Sequence, residues 1–221
     1  MDKLKQAVAR AALDYIDDNM IVGVGTGSTV NYFIDQLASI KHRIDACVPS
    51  SKATAERLRK LGIAMIDLNA ASCVDIYIDG ADEVNSLGQM IKGGGGALTY
   101  EKIIATVADK FICIVDKSKV VDHLGQFPIA VEVIPMARSY VARQLVKLGA
   151  DPVYRNGFIT DSGNIIIDVF DLALEQAKEM ENKIKLITGV VDNGIFAART
   201  ADHVLIAQDD GINIQDNTMV L

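Results

Sequence analysis

Between residues 2 and 17, Leu4, Ala7, Val8, Ala11, Ala12, Tyr15 and Ile16 share one face at helical spacing, which predicts an amphipathic helix. Met20-Ile21-Val22-Gly23-Val24-Gly25 then reads as a short buried strand broken by glycines, and a helical pattern resumes from Val30 to Leu37. Ala46-Cys47-Val48 predicts another strand, residues 52–61 a helix, and Ala64-Met65-Ile66-Asp67 a third strand. Val74-Asp75-Ile76-Tyr77-Ile78-Asp79 alternates towards a loop, 100–109 is helical, and 111–115 is a further apolar strand. Strands alternating with helices at this spacing predict a parallel, doubly wound α/β sheet.

The texture changes after Phe127-Pro128. Ile129–Ile134 predicts a strand and Met136–Leu148 a helix ended by Gly149; a strand at 152–155 and a hairpin about Asp161-Ser162-Gly163-Asn164 lead into Ile165–Val169. A helix near 173–184 and a strand near 189–197 complete the order β-α-β-β-α-β, the signature of a ferredoxin-like split unit. His203-Val204-Leu205-Ile206-Ala207 then predicts a strand returning to the first sheet. The expected layout is a main α/β domain of residues 1–128 plus 198–221, with a smaller α+β domain of 129–197 inserted before its last strand.

Of 221 residues, half are hydrophobic and four are proline, so the chain can build a substantial core and is not globally disordered. A formal net charge of −7 with no long basic run argues against nucleic-acid backbones and anionic membranes as partners. A small phosphorylated ligand stays open, because local geometry can defeat net charge. The three cysteines, Cys47, Cys73 and Cys113, form no CxxC pair and lie among apolar neighbours, which predicts small buried hydrophobes in a reducing compartment. Asp2, Lys3, Lys5 and Arg10 argue against a signal peptide, and no apolar run approaches a membrane span. A soluble, cytoplasmic protein is expected.

Three segments can carry chemistry. Gly23-Val24-Gly25-Thr26-Gly27-Ser28-Thr29 lies between a strand and a helix, where free amides can hold an anion. It fits neither G-x-G-x-x-G nor a Walker loop, and reads either as a phosphate cradle or as a tight turn with an N-cap. Asp79-Gly80-Ala81-Asp82-Glu83 ends a strand, where open α/β sheets bind ligands. Three acids in five residues repel one another, so one can serve as an acid; the alternative is an Asx turn of solvated carboxylates. Lys92-Gly93-Gly94-Gly95-Gly96-Ala97-Leu98 carries four consecutive glycines, whose entropy cost implies close approach to a ligand or a sharply bent loop. Lys92 can stabilise an oxyanion, and Glu101 is either an acid–base group or an acid favouring the helix dipole.

An anion cradle, carboxylates, a lysine and a further glutamate on strand-to-helix loops suggest proton transfer on a sugar phosphate. An aldose–ketose interconversion needs a base and a donor to the enediolate oxygen, and no electron acceptor. No cofactor is expected. His42, His123 and His203 are far apart and show no ligand spacing, so a metal-free isomerase is the reading.

These segments resemble ribose-5-phosphate isomerases of the A type, as do Val115-Asp116-Lys117-Ser118-Lys119 and Phe127-Pro128 leading into Val131-Glu132-Val133-Ile134-Pro135. The likeness runs nearly end to end; one departure is Ala130, where the family suggests proline. The resemblance implies a Rossmann-like domain with a smaller α+β domain, a homo-oligomer, and interconversion of D-ribose 5-phosphate and D-ribulose 5-phosphate in the non-oxidative pentose phosphate pathway. It implies that Glu101 shuttles the proton between C1 and C2, that Lys92 with loop amides stabilises the enediolate, and that Asp79 and Asp82 open the furanose ring. Thr26, Gly27, Ser28 and Thr29, with the loops Gly80-Ala81 and Gly93-Gly94-Gly95, would contact substrate, and Lys119 and Lys5 would hold its phosphate. A rival is a non-catalytic sugar-phosphate sensor. It would need a DNA-binding helix-turn-helix, where only the stretch up to Met20 precedes the first strand, and would have no use for Lys92 and Glu101 together. A second rival, a hexose-phosphate lactonase or deaminase of related fold, is separated by a substrate panel.

Overall fold

A computed structural model describes residues 2–217. The chain opens with α1 (Asp2–Ala11), β1 (Ile21–Val24), α2 (Ser28–Leu37), β2 (Ala46–Pro49), α3 (Lys52–Lys60) and β3 (Val74–Asp79). Two short strands, β4 (Glu83–Val84) and β5 (Met90–Ile91), precede α4 (Leu98–Val107) and β6 (Ala108–Asp116). Then come β7 (Ile129–Val133), α5 (Arg138–Lys147), β8 (Asp151–Tyr154), β9 (Ile165–Phe170), α6 (Ala177–Lys185) and β10 (Val190–Asn193). The last strands are β11 (Ile195–Phe196), β12 (His203–Gln208) and β13 (Gly211–Asp216). The described residues form two compact units: 2–81 with 100–120 and 201–217, and Asp82–Thr99 with Val121–Thr200.

The first unit is a six-stranded sheet in the order β13-β12-β6-β3-β1-β2, parallel throughout except for the β12–β13 hairpin. Parallel strands with helix-covered faces are apolar along their length, and all four residues of β1 are buried. Val22, Val24, Ile76, Ile78, Ile112 and Leu205 of the strands share a core with Val8 of α1 and Phe33 and Leu37 of α2. Each such side chain contributes roughly 1.5–3 kcal/mol by leaving water. The amphipathic helix of 2–17 is shorter than its pattern: α1 stops at Ala11, a 3-10 turn covers Ala12–Tyr15, and Ala9 is buried where Ala7 is exposed. The strand expected at Ala64–Asp67 is a single bridge, Met65 to Cys47. Asp67 ends it there by accepting the Asn69 N–H at 2.8 Å, which turns the chain away from the sheet edge. Cys47 and Cys113 are buried, but Cys73 is exposed in the loop before β3.

The second unit holds a four-stranded antiparallel sheet in the order β10-β7-β9-β8, with α5 between β7 and β8 and α6 between β9 and β10. Counted along the chain that is 4-1-3-2, a ferredoxin-like split unit. Val131, Val133, Val141, Leu145, Ile167 and Ile184 form its core. The strand expected near 189–197 breaks at Gly194, so that β10 pairs with β7 while β11 joins a separate sheet, β11-β5-β4. The boundaries differ from those expected: 82–99, with most of that small sheet, 121–128 and 198–200 belong with the second unit. The fold is α/β and Rossmann-like with an inserted ferredoxin-like unit, and two strands, not one, follow the insertion.

Candidate active site

In the first unit, β1, β2, β3 and β6 are parallel, so their carboxyl ends share one edge of the sheet. Thr26–Thr29 follow β1, Ser50 and Ser51 follow β2, Asp79 ends β3, and Lys119 closes the turn after β6. Such an edge is where α/β sheets bind ligands.

Asp79 is fully buried, and donors from two directions converge on it. The Thr26 and Gly80 amides donate to Oδ1 at 3.1 and 2.7 Å, and the Tyr77 hydroxyl donates to Oδ2. Gly25 is required here: a Cβ on it would lie 1.9 Å from Asp79 Oδ1. Tyr77 is buried against Phe111, with ring centroids 5.0 Å apart. Burial first, then the charges of Asp79 and Glu101, push its phenol well above the usual tyrosine range, so it acts as a neutral donor. Glu101 sits in the first turn of α4 and is 4% exposed. An acid that merely complements a helix dipole does so from solvent, so burial sets Glu101 apart.

Thr26 joins a hydroxyl cluster. Its Oγ1 donates to Ser51 Oγ at 2.8 Å and lies 2.8 Å from Ser50 Oγ and 3.2 Å from Thr54 Oγ1. Thr54 in turn donates to the Gly25 carbonyl at 2.7 Å, and Ser51 caps α3 by accepting the Thr54 amide. Ser28 begins α2 itself; the N-cap is Gly27, whose φ of 135° an L side chain rarely adopts. Lys5 Nζ donates to Ser28 Oγ at 2.9 Å, which brings Lys5 to the cradle. Thr29 is half-buried in the first turn of α2.

In the second unit, Asp82 Oδ2 accepts the Gly94 amide at 2.8 Å, and the Asp82 amide donates to the Ile91 carbonyl. Lys92, at the end of β5, is 3% exposed, with its ammonium 5.5 Å from the centre of the Phe196 ring. Gly94 and Gly95 are exposed, whereas Gly93 and Gly96 are buried and have φ of 105° and 79°. The glycine run therefore makes a bent loop with its middle open to solvent. Ala81 ends the first of the segments that make up the first unit.

Glu83, the third acid of its cluster, does not share in that chemistry. Its two oxygens accept the Gly125 and Phe127 amides at 2.7 and 2.5 Å, making it a brace for that loop. Tyr77, Ser50, Ser51 and Thr54 were absent from the expected set. Tyr77 had a signal: two residues before Asp79 on one strand, it faces the same side. The serines lie at a strand end next to the cradle strand. Among the described residues, no group of three or more His, Cys, Asp or Glu side chains is arranged to hold a metal ion, and no helix is long and apolar enough to cross a membrane.

Residues 46–211 match the family model of ribose 5-phosphate isomerase A (phosphoriboisomerase A). A ribose-5-phosphate isomerase A of Legionella pneumophila is 63% identical over 213 residues, covering 96% of this chain and 99% of the relative. The crystal structure of ribose 5 phosphate isomerase A from Neisseria gonorrhoeae superposes with a TM-score of 0.96 at 44% identity, covering 99% of this chain and 98% of that one. A D-ribose-5-phosphate isomerase solved in complex with phospho-erythronic acid gives a TM-score of 0.93 at 36% identity, covering 97% and 98%. With a family model spanning most of the chain and relatives matched nearly end to end, the chain belongs to the ribose 5-phosphate isomerase A family.

Proposed function

We propose that this chain interconverts D-ribose 5-phosphate and D-ribulose 5-phosphate through an enediolate. The observation that carries the reading is Glu101, a carboxylate buried in the first turn of a helix whose charge is felt by the equally buried Tyr77. Glu101 takes the proton from C2 of the open-chain aldose and returns it to C1. The electrons released pass into the carbonyl, and the oxygen that gains charge is stabilised by the Lys92 ammonium and the loop amide of Gly95. A buried ammonium is more effective than a solvated one, because no water screens it. Asp79 and Asp82 open the furanose ring and move the hydroxyl proton from O2 to O1 of the enediolate, which leaves the ketose with its carbonyl at C2; Asp79 is held by Tyr77, Thr26 and Gly80. Thr26, Gly27, Ser28, Thr29, Gly80, Ala81 and Gly93 line the substrate, while Lys5 and Lys119 hold the phosphate. The Lys5–Ser28 hydrogen bond supports the first of those lysines.

Turnover tests this directly. EDTA-treated protein should convert ribose 5-phosphate to ribulose 5-phosphate rapidly; folded protein that binds the sugar phosphate without turnover would make the chain a sensor. A cytoplasmic homo-oligomer belongs to the same proposal. Tyr100, Ile103 and Val107 support the self-association, being 38–48% exposed along one face of α4. Sedimentation showing only monomer at micromolar concentration would refute self-association.

A further inference from the structure

Arg155 follows β8 and engages every N–H of its guanidinium. Nε donates to Asp168 Oδ2 at 2.8 Å and Nη2 to Asp168 Oδ1 at 2.5 Å, a bidentate pair. Nη1 donates to the carbonyls of Gly93 and Gly94, each at 3.2 Å, and Nη2 also reaches Gly93 at 3.3 Å. The Phe158 ring lies 5.4 Å from the guanidinium, and the side chains of Arg155 and Asp168 are only 19% and 16% exposed. Five donors in a rigid fork meet this set of acceptors; a lysine has three donors and no fork.

What the fork holds is a glycine turn. The Gly96 amide donates to the Gly93 carbonyl at 3.0 Å, so Gly93–Gly96 is a four-residue turn with Gly94 and Gly95 at its centre. Type I and type II turns differ chiefly by a flip of that central peptide, and glycine tolerates both orientations. A trans peptide carries its C=O and N–H on opposite sides. The Gly93–Gly94 peptide shows the consequence: its carbonyl meets Arg155 and its N–H meets Asp82. Binding of the Gly94 carbonyl by Arg155 sends the Gly95 N–H away from Arg155 in the same manner.

We propose that Arg155, anchored by Asp168, is a positioning residue for the isomerisation. It locks the Gly94–Gly95 peptide in one of two accessible orientations, so that the Gly95 amide points away from the guanidinium and receives the enediolate oxygen, while the Gly94 amide stays on Asp82. The inference rests on the isomerase reading above. An amide aimed at charge that develops only in the transition state acts on kcat and leaves KM nearly unchanged.

The test is Arg155→Lys in the full chain, with kcat and KM for ribose 5-phosphate and the NMR signal of the Gly95 amide. The expected result is a fall in kcat of about 10- to 100-fold with KM within about threefold of wild type, and a displaced or exchange-broadened Gly95 signal. A variant that melts earlier yet keeps wild-type kcat when folded would overturn the proposal, as would a rise in KM alone. If Arg155→Lys does not fold, Asp168→Asn takes its place, with an expected fall in kcat of about 3- to 10-fold, and unchanged kcat there refutes the clamp. Wild-type protein without turnover would defeat the isomerase reading itself. In that event an unmoved Gly95 signal would still refute the clamp on its own.

Discussion

Replacing Tyr77 by phenylalanine removes one hydroxyl from a fully buried position and leaves the ring against Phe111. That hydroxyl donates to the Asp79 carboxylate, and a hydrogen bond to a charged group contributes about 1.5–3 kcal/mol. Asp79 keeps the Thr26 and Gly80 amides, so the loss belongs at the lower end, about 1.5–2 kcal/mol. For a chain of this size that lowers Tm by about 3–8 °C. Urea unfolding should show the same loss with an unchanged m value. The pH dependence has a definite sign. The unfolded phenol ionises near 10.0, whereas burial keeps the folded one neutral well above that value. Wild type therefore holds this stability below pH 10 and loses up to about 1.36 kcal/mol per pH unit above it, a slope that Tyr77→Phe lacks. The gap between the two proteins should stay constant from about pH 7 to 9 and close above about pH 10. A variant within about 0.5 kcal/mol of wild type, or a gap that widens above pH 10, would refute the neutral-donor account.

Glu101→Gln should fold normally and lower kcat by at least about 10²-fold, since a general base is gone; near-normal turnover would return Glu101 to a helix-dipole role. Lys92→Ala should lose on the order of 10² in kcat, and an effect confined to KM would contradict its place at the enediolate oxygen. Burial pushes the Cys47 thiol up to about 12, so iodoacetamide at pH 8 should label native protein at the exposed Cys73. Mass spectrometry finding Cys47 labelled without denaturant would contradict its burial.

Short apolar runs made much of the fold legible. Val74–Asp79 and Phe111–Val115 are central parallel strands, and such strands must be apolar because helices cover both faces. The split unit was equally readable, since alternating helices and strands with a hairpin at Asp161–Asn164 leave few arrangements. Edges were harder. Ala64–Asp67 has the composition of a strand but makes one bridge, while β13 carries a half-buried Ile212 and an exposed Ile214 on an edge. The hairpin between β12 and β13 turns on the two-residue loop Asp209-Asp210. Chemistry divides along another line. Glycine runs and clustered acids are local and show in the sequence, but what each acid binds depends on partners far away. Glu83 looks like Asp79 and Asp82 until Gly125 and Phe127 are folded against it. Arg155 is 62 residues from the carbonyl it holds, and no local pattern announces it.

If a protein carboxylate carries the proton between C1 and C2, hydrogen from solvent can enter the sugar during turnover. Ribose 5-phosphate incubated with EDTA-treated enzyme in D2O, past equilibrium and through many turnovers, tests it by NMR. Exchange of the Glu101 proton with solvent predicts progressive deuterium at C2 of the aldose and C1 of the ketose, abolished with turnover in Glu101→Gln. Rapid interconversion that retains the original hydrogen throughout would contradict the account and point to hydride transfer between the two carbons.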